Sequence, residues 1–131
     1  MQYVYPAIFY NAIEGGYCVE FPDVDGAATQ GETLYEAMGM AEDALAGILV
    51  CYEDYKAGRS KLPMNNRIVA PTPIENIKAE PDEYSTGAFA TLIKVDTDKY
   101  RKLLESIQPK IPEILPYAKN SIISRVHGVF R

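Results

Sequence analysis

Glu20, Asp23, Asp25 and Glu32 stand close together in the chain, and they are the first residues whose types and spacing could do chemistry. Acids grouped in this way can hold a divalent cation, divide acid and base roles in a hydrolysis, or present negative charge to a basic partner. Asp23-Val24-Asp25-Gly26 echoes the start of a calcium loop, but the third ligand and the closing Glu of that loop are missing, so a turn is the better reading. A hydrolase needs a nucleophile with its base, a metal cluster, or a carboxylate pair with separate roles. His127 is the one histidine, and it has no Cys or Ser neighbour in a recognisable motif. Cys18 and Cys51 lack metal-ligand spacing and read as small apolar side chains that stay reduced. There is no Walker motif and no G-x-G-x-x-G. The sequence therefore assigns no catalytic residue, no metal site and no cofactor, and the chemistry left to the four acids is the display of charge.

The distribution of charge supports that reading more than the net value of −5 does. Ten acidic residues precede Lys56, and no Lys or Arg does. Residues 97–131 instead carry seven Lys and Arg against three acids. An acidic first part repels phosphate and attracts a basic partner, because summed surface charge steers encounters over about a Debye length, roughly 8–10 Å. Charges that only solvate the fold are the alternative.

The elements that must position these acids are legible from local pattern. Tyr3 to Tyr10 alternates as a strand with both faces apolar, and Pro6 within it needs an unpaired side or a bulge because it cannot donate to a ladder. Glu14-Gly15-Gly16 predicts a hairpin turn, since paired glycines reach positive φ. Tyr17 to Phe21 is a second strand, with Tyr17, Val19 and Phe21 on one face and Cys18 and Glu20 on the other. Pro22 to Gly26 is a turn, and Ala27 to Gly31 is a short third strand. Thr33 and Glu36 fit a capping box, which opens a helix from Leu34 to about Ala57. Its stripe of Leu34, Ala37, Met38, Ala41, Leu45, Ile48, Leu49 and Tyr52 should lie across the sheet, with Gly58 ending the helix in a left-handed conformation. Gly39 and Gly47 are unfavourable inside a helix by about 1 kcal/mol each and suggest close backbone approach.

Residues 59–86 read as a proline-punctuated linker, expected to lie over a sheet edge of its own or a neighbouring subunit. Ala88 to Val95 is the last strand, followed by a short helix capped by Asp96 or Thr97. The fold class is thus α+β: an antiparallel sheet of three to four strands with one long helix across it, in the order β-β-β-α-β, plus a short C-terminal helical segment. Residues 1–105 form this domain. Residues 106–131 are a basic tail cut by Pro109, Pro112 and Pro116, with a second short helix expected over Tyr117 to Val126. The longest apolar run, Ala44 to Tyr52, is about half of a membrane span, and the N-terminus lacks a basic n-region, so a cytoplasmic protein is expected.

The stretch from Glu14 to Ala37, G-G-Y-x-V-x-F-P-D, then G, then T-x-G-x-T-x-x-E-A at a helix start, resembles the N-terminal domain of HicB-type antitoxins. The strand Tyr5-Pro6-Ala7-Ile8-Phe9 ahead of it strengthens the likeness, which covers residues 3–58 well and 87–105 loosely. That domain is similar in topology to a reduced ribonuclease H core. The resemblance implies a binding protein that covers a small basic HicA-type toxin, whose RNA-holding surface an acidic partner would mask; Glu20, Asp23, Asp25 and Glu32 are the expected toxin contacts because they cluster near the turn between the second strand and the helix. It also implies an operator-binding unit after the last strand, and the tail matches neither a ribbon-helix-helix nor a helix-turn-helix. A nucleic-acid-binding regulator acting through the basic tail, a degenerate nuclease, and an orphan oligomer of this fold are the rival readings. A homodimer or homotetramer is expected from the exposed sheet edge and the long linker.

Overall fold

The structure is a computed structural model that describes residues 1–107. Gly15 and Gly16 take φ of 101° and 79°, and this double left-handed step reverses the chain between β1 (Gln2–Ala12) and β2 (Tyr17–Glu20). β3 (Thr29–Gly31) and β4 (Ser85–Asp96) complete a four-stranded antiparallel sheet in the order β3-β2-β1-β4. α1 (Leu34–Lys56) crosses one face, and α2 (Thr97–Ile107) follows β4 and packs on α1. The β-β-β-α-β order and the short helix after it are those expected from the sequence, with the sheet at four strands.

Pro6 pairs in register with Leu92 of β4, whereas β2 begins its pairing only at Ile8. The missing donor therefore sits where the β2 side has no ladder to interrupt. Thr33 caps α1, its hydroxyl accepting from the Glu36 amide at 3.1 Å, and Gly58 with φ 75° follows the helix end. Asp96 accepts from the amides of Asp98 and Lys99 and so caps α2.

The core lies between α1 and the sheet. Tyr5, Ala7 and Phe9 of β1, Val19 of β2 and Ile93 of β4 meet Ala37, Ala41, Leu45, Ile48 and Leu49. Burying each large apolar side chain contributes about 1.5–3 kcal/mol. The expected stripe holds from Ala37 onward, but Leu34 and Met38 stay about 40% exposed. The cause is the shortness of β3: at three residues it offers the first turns of α1 little sheet to cover, so only Ala37 and Ala41 face inward there. Gly31 is needed at this junction, because a Cβ would stand 2.5 Å from the Ala37 amide nitrogen. Gly39 differs from the expectation of close approach within the chain, since nothing lies within 4 Å of where its Cβ would be.

The long irregular span lies on its own chain. Ile68 bridges to Val24, the Asp25 amide donates to the Arg67 carbonyl at 2.8 Å, and the Val69 amide donates to the Asp23 carbonyl at 3.0 Å. Farther on, Ile74–Asn76 makes one 3-10 turn against β4, and the Tyr84 carbonyl accepts from the Ile13 amide at 2.9 Å. A span of this length without regular structure is held by these backbone bonds and by side chains, Asp23 among them.

Candidate binding surface

Asp23 is 4% exposed, and both of its carboxylate oxygens are occupied. One accepts from the Thr72 amide and the other from the Thr72 hydroxyl, each at 2.7 Å. The Tyr5 hydroxyl donates to the Val69 carbonyl at 2.9 Å beside this latch. Charge-assisted bonds of this kind are shorter and stronger than neutral ones, which suits a carboxylate turned inward. Asp23 therefore ties the span 67–72 to the turn after β2.

The other three acids named from the sequence are exposed, and they divide by place. Asp25 sits beneath the span, its carbonyl accepting from Asn66. Glu20 and Glu32 line two neighbouring hollows around β2 and β3. The larger, about 870 Å³, lies between the double-glycine turn, β3 and the first turn of α1, and its lining includes Glu14, Glu32, Glu36 and Met40. The smaller, about 550 Å³, includes Glu14, Cys18, Glu20, Asp82 and Tyr84. No Lys, Arg or His lines either one among the described residues. Among the described residues, the surface at this end of the sheet is thus acidic without a neutralising cation. The Tyr10 hydroxyl donates to Glu20 at 2.7 Å, and burial together with that bond pushes the Tyr10 phenol up to about 12, so it stays a donor at neutral pH.

At the opposite end the acids are consumed within the chain. Glu53 accepts from the Tyr3 hydroxyl at 2.7 Å, the Thr97 hydroxyl at 2.9 Å and the Arg101 guanidinium at 3.0 Å. Arg101 also pairs with Asp54 at 2.9 Å, and Arg59 does so at the same distance. Burial alone would raise the Glu53 carboxyl, but the three hydrogen bonds and the guanidinium charge outweigh it and hold the group below its ordinary value. This network fastens α2 to α1. The sequence carried one signal for it: acids in the last turns of a helix oppose the macrodipole and call for cations from elsewhere.

Among the described residues no group of three or more His, Cys, Asp or Glu could hold a metal ion. Cys18 and Cys51 are free thiols, and burial raises that of Cys51. No helix of the described residues is long and apolar enough to cross a membrane. His127 and the expected helix over Tyr117 to Val126 lie outside the described residues.

Comparison with known proteins places this arrangement. A family model described as the HicB-like antitoxin of bacterial toxin-antitoxin systems matches residues 5–127, nearly the whole chain. The chain belongs to the HicB-like antitoxin family. Antitoxin HicB 1 of Photorhabdus laumondii is 43% identical over 60 residues, 46% of this chain and 37% of that protein. Antitoxin HicB of Escherichia coli is likewise 43% identical over 60 residues, there 41% of the protein. The match spans about two-fifths of these curated HicB relatives. Two solved structures share the fold: a chain of a toxin-antitoxin complex from Streptococcus pneumoniae, with a TM-score of 0.53 at 22% identity over 95% of this chain and 98% of that one, and the Burkholderia pseudomallei antitoxin HicB, with 0.52 at 19% over 92% and 96%.

In this HicB-like chain, sequence reasoning missed the latch, the Glu53 network and the open face at the start of α1. The latch from Asp23 to Thr72 joins residues 49 positions apart, and no local pattern announces it. Met38, which the spacing assigns to the inward stripe, is exposed, and close to it in the chain Tyr35 is 92% exposed.

Proposed function

We propose that this chain is a binding protein, not an enzyme: an antitoxin that neutralises a small basic HicA-type toxin by covering its RNA-holding surface. The observation that carries the reading is the acidic end of the sheet, where Glu14, Glu20, Glu32, Glu36 and Asp82 line two hollows that hold no basic residue among the described residues. A toxin that grips phosphates must present Lys and Arg, and such a surface meets this one with complementary charge. Glu20, Asp25 and Glu32 are the exposed contacts of this scheme. Asp23 supports it from beneath by fixing the turn that carries Asp25. Encounter is steered by charge, and residence depends on apolar groups buried at the contact. Action in the cytoplasm, where the RNA target is found, belongs to the same proposal.

The test is recovery of the tagged full chain from its native host, with mass spectrometry and nucleic-acid quantitation on the eluate. A small basic protein at near-equal stoichiometry, whose RNA cleavage stops on adding one equivalent of this chain, is the expected result. Nucleic acid alone, lost on deleting residues 108–131, would transfer the function to the basic tail. Recovery of neither would leave an orphan oligomer as the better description.

A further inference from the structure

The outward stripe of α1 changes character halfway along. Its later positions are closed by the chain itself: Ala46 and Val50 are buried, and α2 packs there, with the Tyr100 hydroxyl donating to Asp43 at 3.1 Å. The earlier positions, Tyr35, Gly39 and Glu42, share the outward face at steps of three and four, Met38 borders it from the uncovered edge of the inward stripe, and all four are left open. Tyr35 is 92% exposed, an unusual state for so large an aromatic surface on a structured helix, and Leu34 and Met38 are each about 40% exposed beside it. Between Tyr35 and the part covered by α2 lies Gly39, on the α1 wall of a groove of about 620 Å³ that Glu42 and Ala46 also line, with Lys94 of β4 and Lys99 and Leu103 of α2 on its other walls.

Gly39 is the independent observation. A glycine inside a helix is unfavourable by about 1 kcal/mol relative to alanine, and a close neighbour normally explains one. Here no atom lies within 4 Å of the place a Cβ would occupy, so nothing in the described chain needs the space. Exposed Glu32, Glu36 and Glu42 flank this patch in the chain, and residues 1–55 contain no Lys or Arg, so its charge on the α1 side is acidic, with Lys94 and Lys99 standing across the groove. A second copy seated face to face would set these acids against their own kind.

We propose that a basic protein partner docks on the first two turns of α1, laying its backbone against Gly39 with Tyr35 and Met38 as apolar anchors flanked by Glu32, Glu36 and Glu42. This deepens the antitoxin reading and rests on it, with the toxin as the partner. Tyr is favoured at binding hot spots because it offers a large rigid surface with one polar end, and a surrounding ring of polar groups excludes water. Glu32 joins this patch to the hollow beside β3, so the two surfaces are continuous.

The test measures the affinity of the basic protein recovered with the wild-type chain for four full-length chains: wild type, Tyr35→Ala, Gly39→Ala and Gly39→Leu. Tyr35→Ala should weaken binding about 30-fold. The glycine variants carry the sharper contrast. Gly39→Ala should raise Tm by about 3 °C, since helix propensity improves and no atom is in the way. The same change should weaken binding, and Gly39→Leu should weaken it more, at least about tenfold. A variant that is more stable yet binds less tightly cannot be explained by misfolding. Unchanged affinity in Tyr35→Ala and Gly39→Leu, with tight binding by wild type, would overturn this placement and leave the antitoxin reading standing. Failure of wild type to bind any basic protein would remove both. A mass that rises with concentration and falls back in Tyr35→Ala would instead assign the patch to a second copy, and an effect of Tyr35→Ala that vanishes on deleting residues 108–131 would assign it to the chain's own tail.

Discussion

The two halves of α1 are one continuous helix over one core, yet they treat their charges and apolar groups in opposite ways. In the C-terminal half Glu53 and Asp54 are met by Tyr3, Thr97, Arg101 and Arg59, and Ala46 and Val50 lie under α2. In the N-terminal half Glu36, with Glu32 just ahead of the helix, lines an acidic hollow, and Tyr35 and Met38 are exposed. A chain that can cover and neutralise one half of a helix with eleven residues of α2 shows that closure is within its means. The open half is therefore informative: it is the exposed apolar surface to which the proposed partner is assigned. The two halves must respond differently to perturbation, and the responses can be ranked.

The largest effect should come from the core that both halves share. Leu45 is fully buried between the sheet and the middle of α1. Leu45→Ala should lower stability by about 3 kcal/mol, from lost burial plus the cavity left behind, measured by urea denaturation followed by circular dichroism. If the two halves were independent units, the transition would split. A single transition with reduced midpoint is expected, because the core cluster runs from Ala37 to Leu49 without interruption.

The closed half comes next. Arg101→Ala leaves Glu53 and Asp54 without their shared cation, and partly buried carboxylates that lose a partner cost about 2 kcal/mol. The same residues set an acid limit. Glu53 is held below its ordinary carboxyl value of 4.5, so in the folded state it releases its proton more readily than in the unfolded state. Its contribution is complete above pH 4.5 and is lost as pH falls through the lower folded value. Stability measured from pH 7 down to pH 3 should therefore decline in the wild type below pH 4.5, and less steeply in Arg101→Ala. An equal slope in both would mean that Arg101 does not hold Glu53 in its charged form.

These ranks also show what could be read before the structure. The double glycine, the alternation of Tyr17 to Phe21, the Thr33 cap and the end at Gly58 are local signals, each decided by a few neighbouring residues, and each appears where the sequence places it. The strand after the linker and the helix capped by Asp96 are of the same kind. The Glu53 network joins residues 44 to 50 positions apart, and Asp23 meets Thr72 across 49, so no periodicity encodes either. The acidic excess of residues 1–55 is legible because charge can be summed without knowing contacts, while the pairing of Glu53 and Asp54 that leaves it at one end of the sheet is not. The division among Glu20, Asp23, Asp25 and Glu32 could not be summed, since it depends on which way a single turn faces. The exposure of Met38 has the same origin: heptad-like spacing says which residues share a face, and only the length of β3 decides how much of that face is covered.

The smallest effect should come from the open half, and its smallness is the sharpest test of the comparison. The Tyr35 ring is 92% exposed, so removing it takes away little buried surface. Alanine also has the better helix propensity, by several tenths of a kcal/mol. Tyr35→Ala should therefore change unfolding free energy by less than about 0.5 kcal/mol, with the sign toward greater stability. A loss of 1 kcal/mol or more in the isolated chain would show that Tyr35 packs within its own molecule, and the two halves of α1 would then differ in degree only. A neutral or stabilising outcome, beside the expected cost of Arg101→Ala at the other end of the same helix, separates a surface kept for folding from one kept free for recognition.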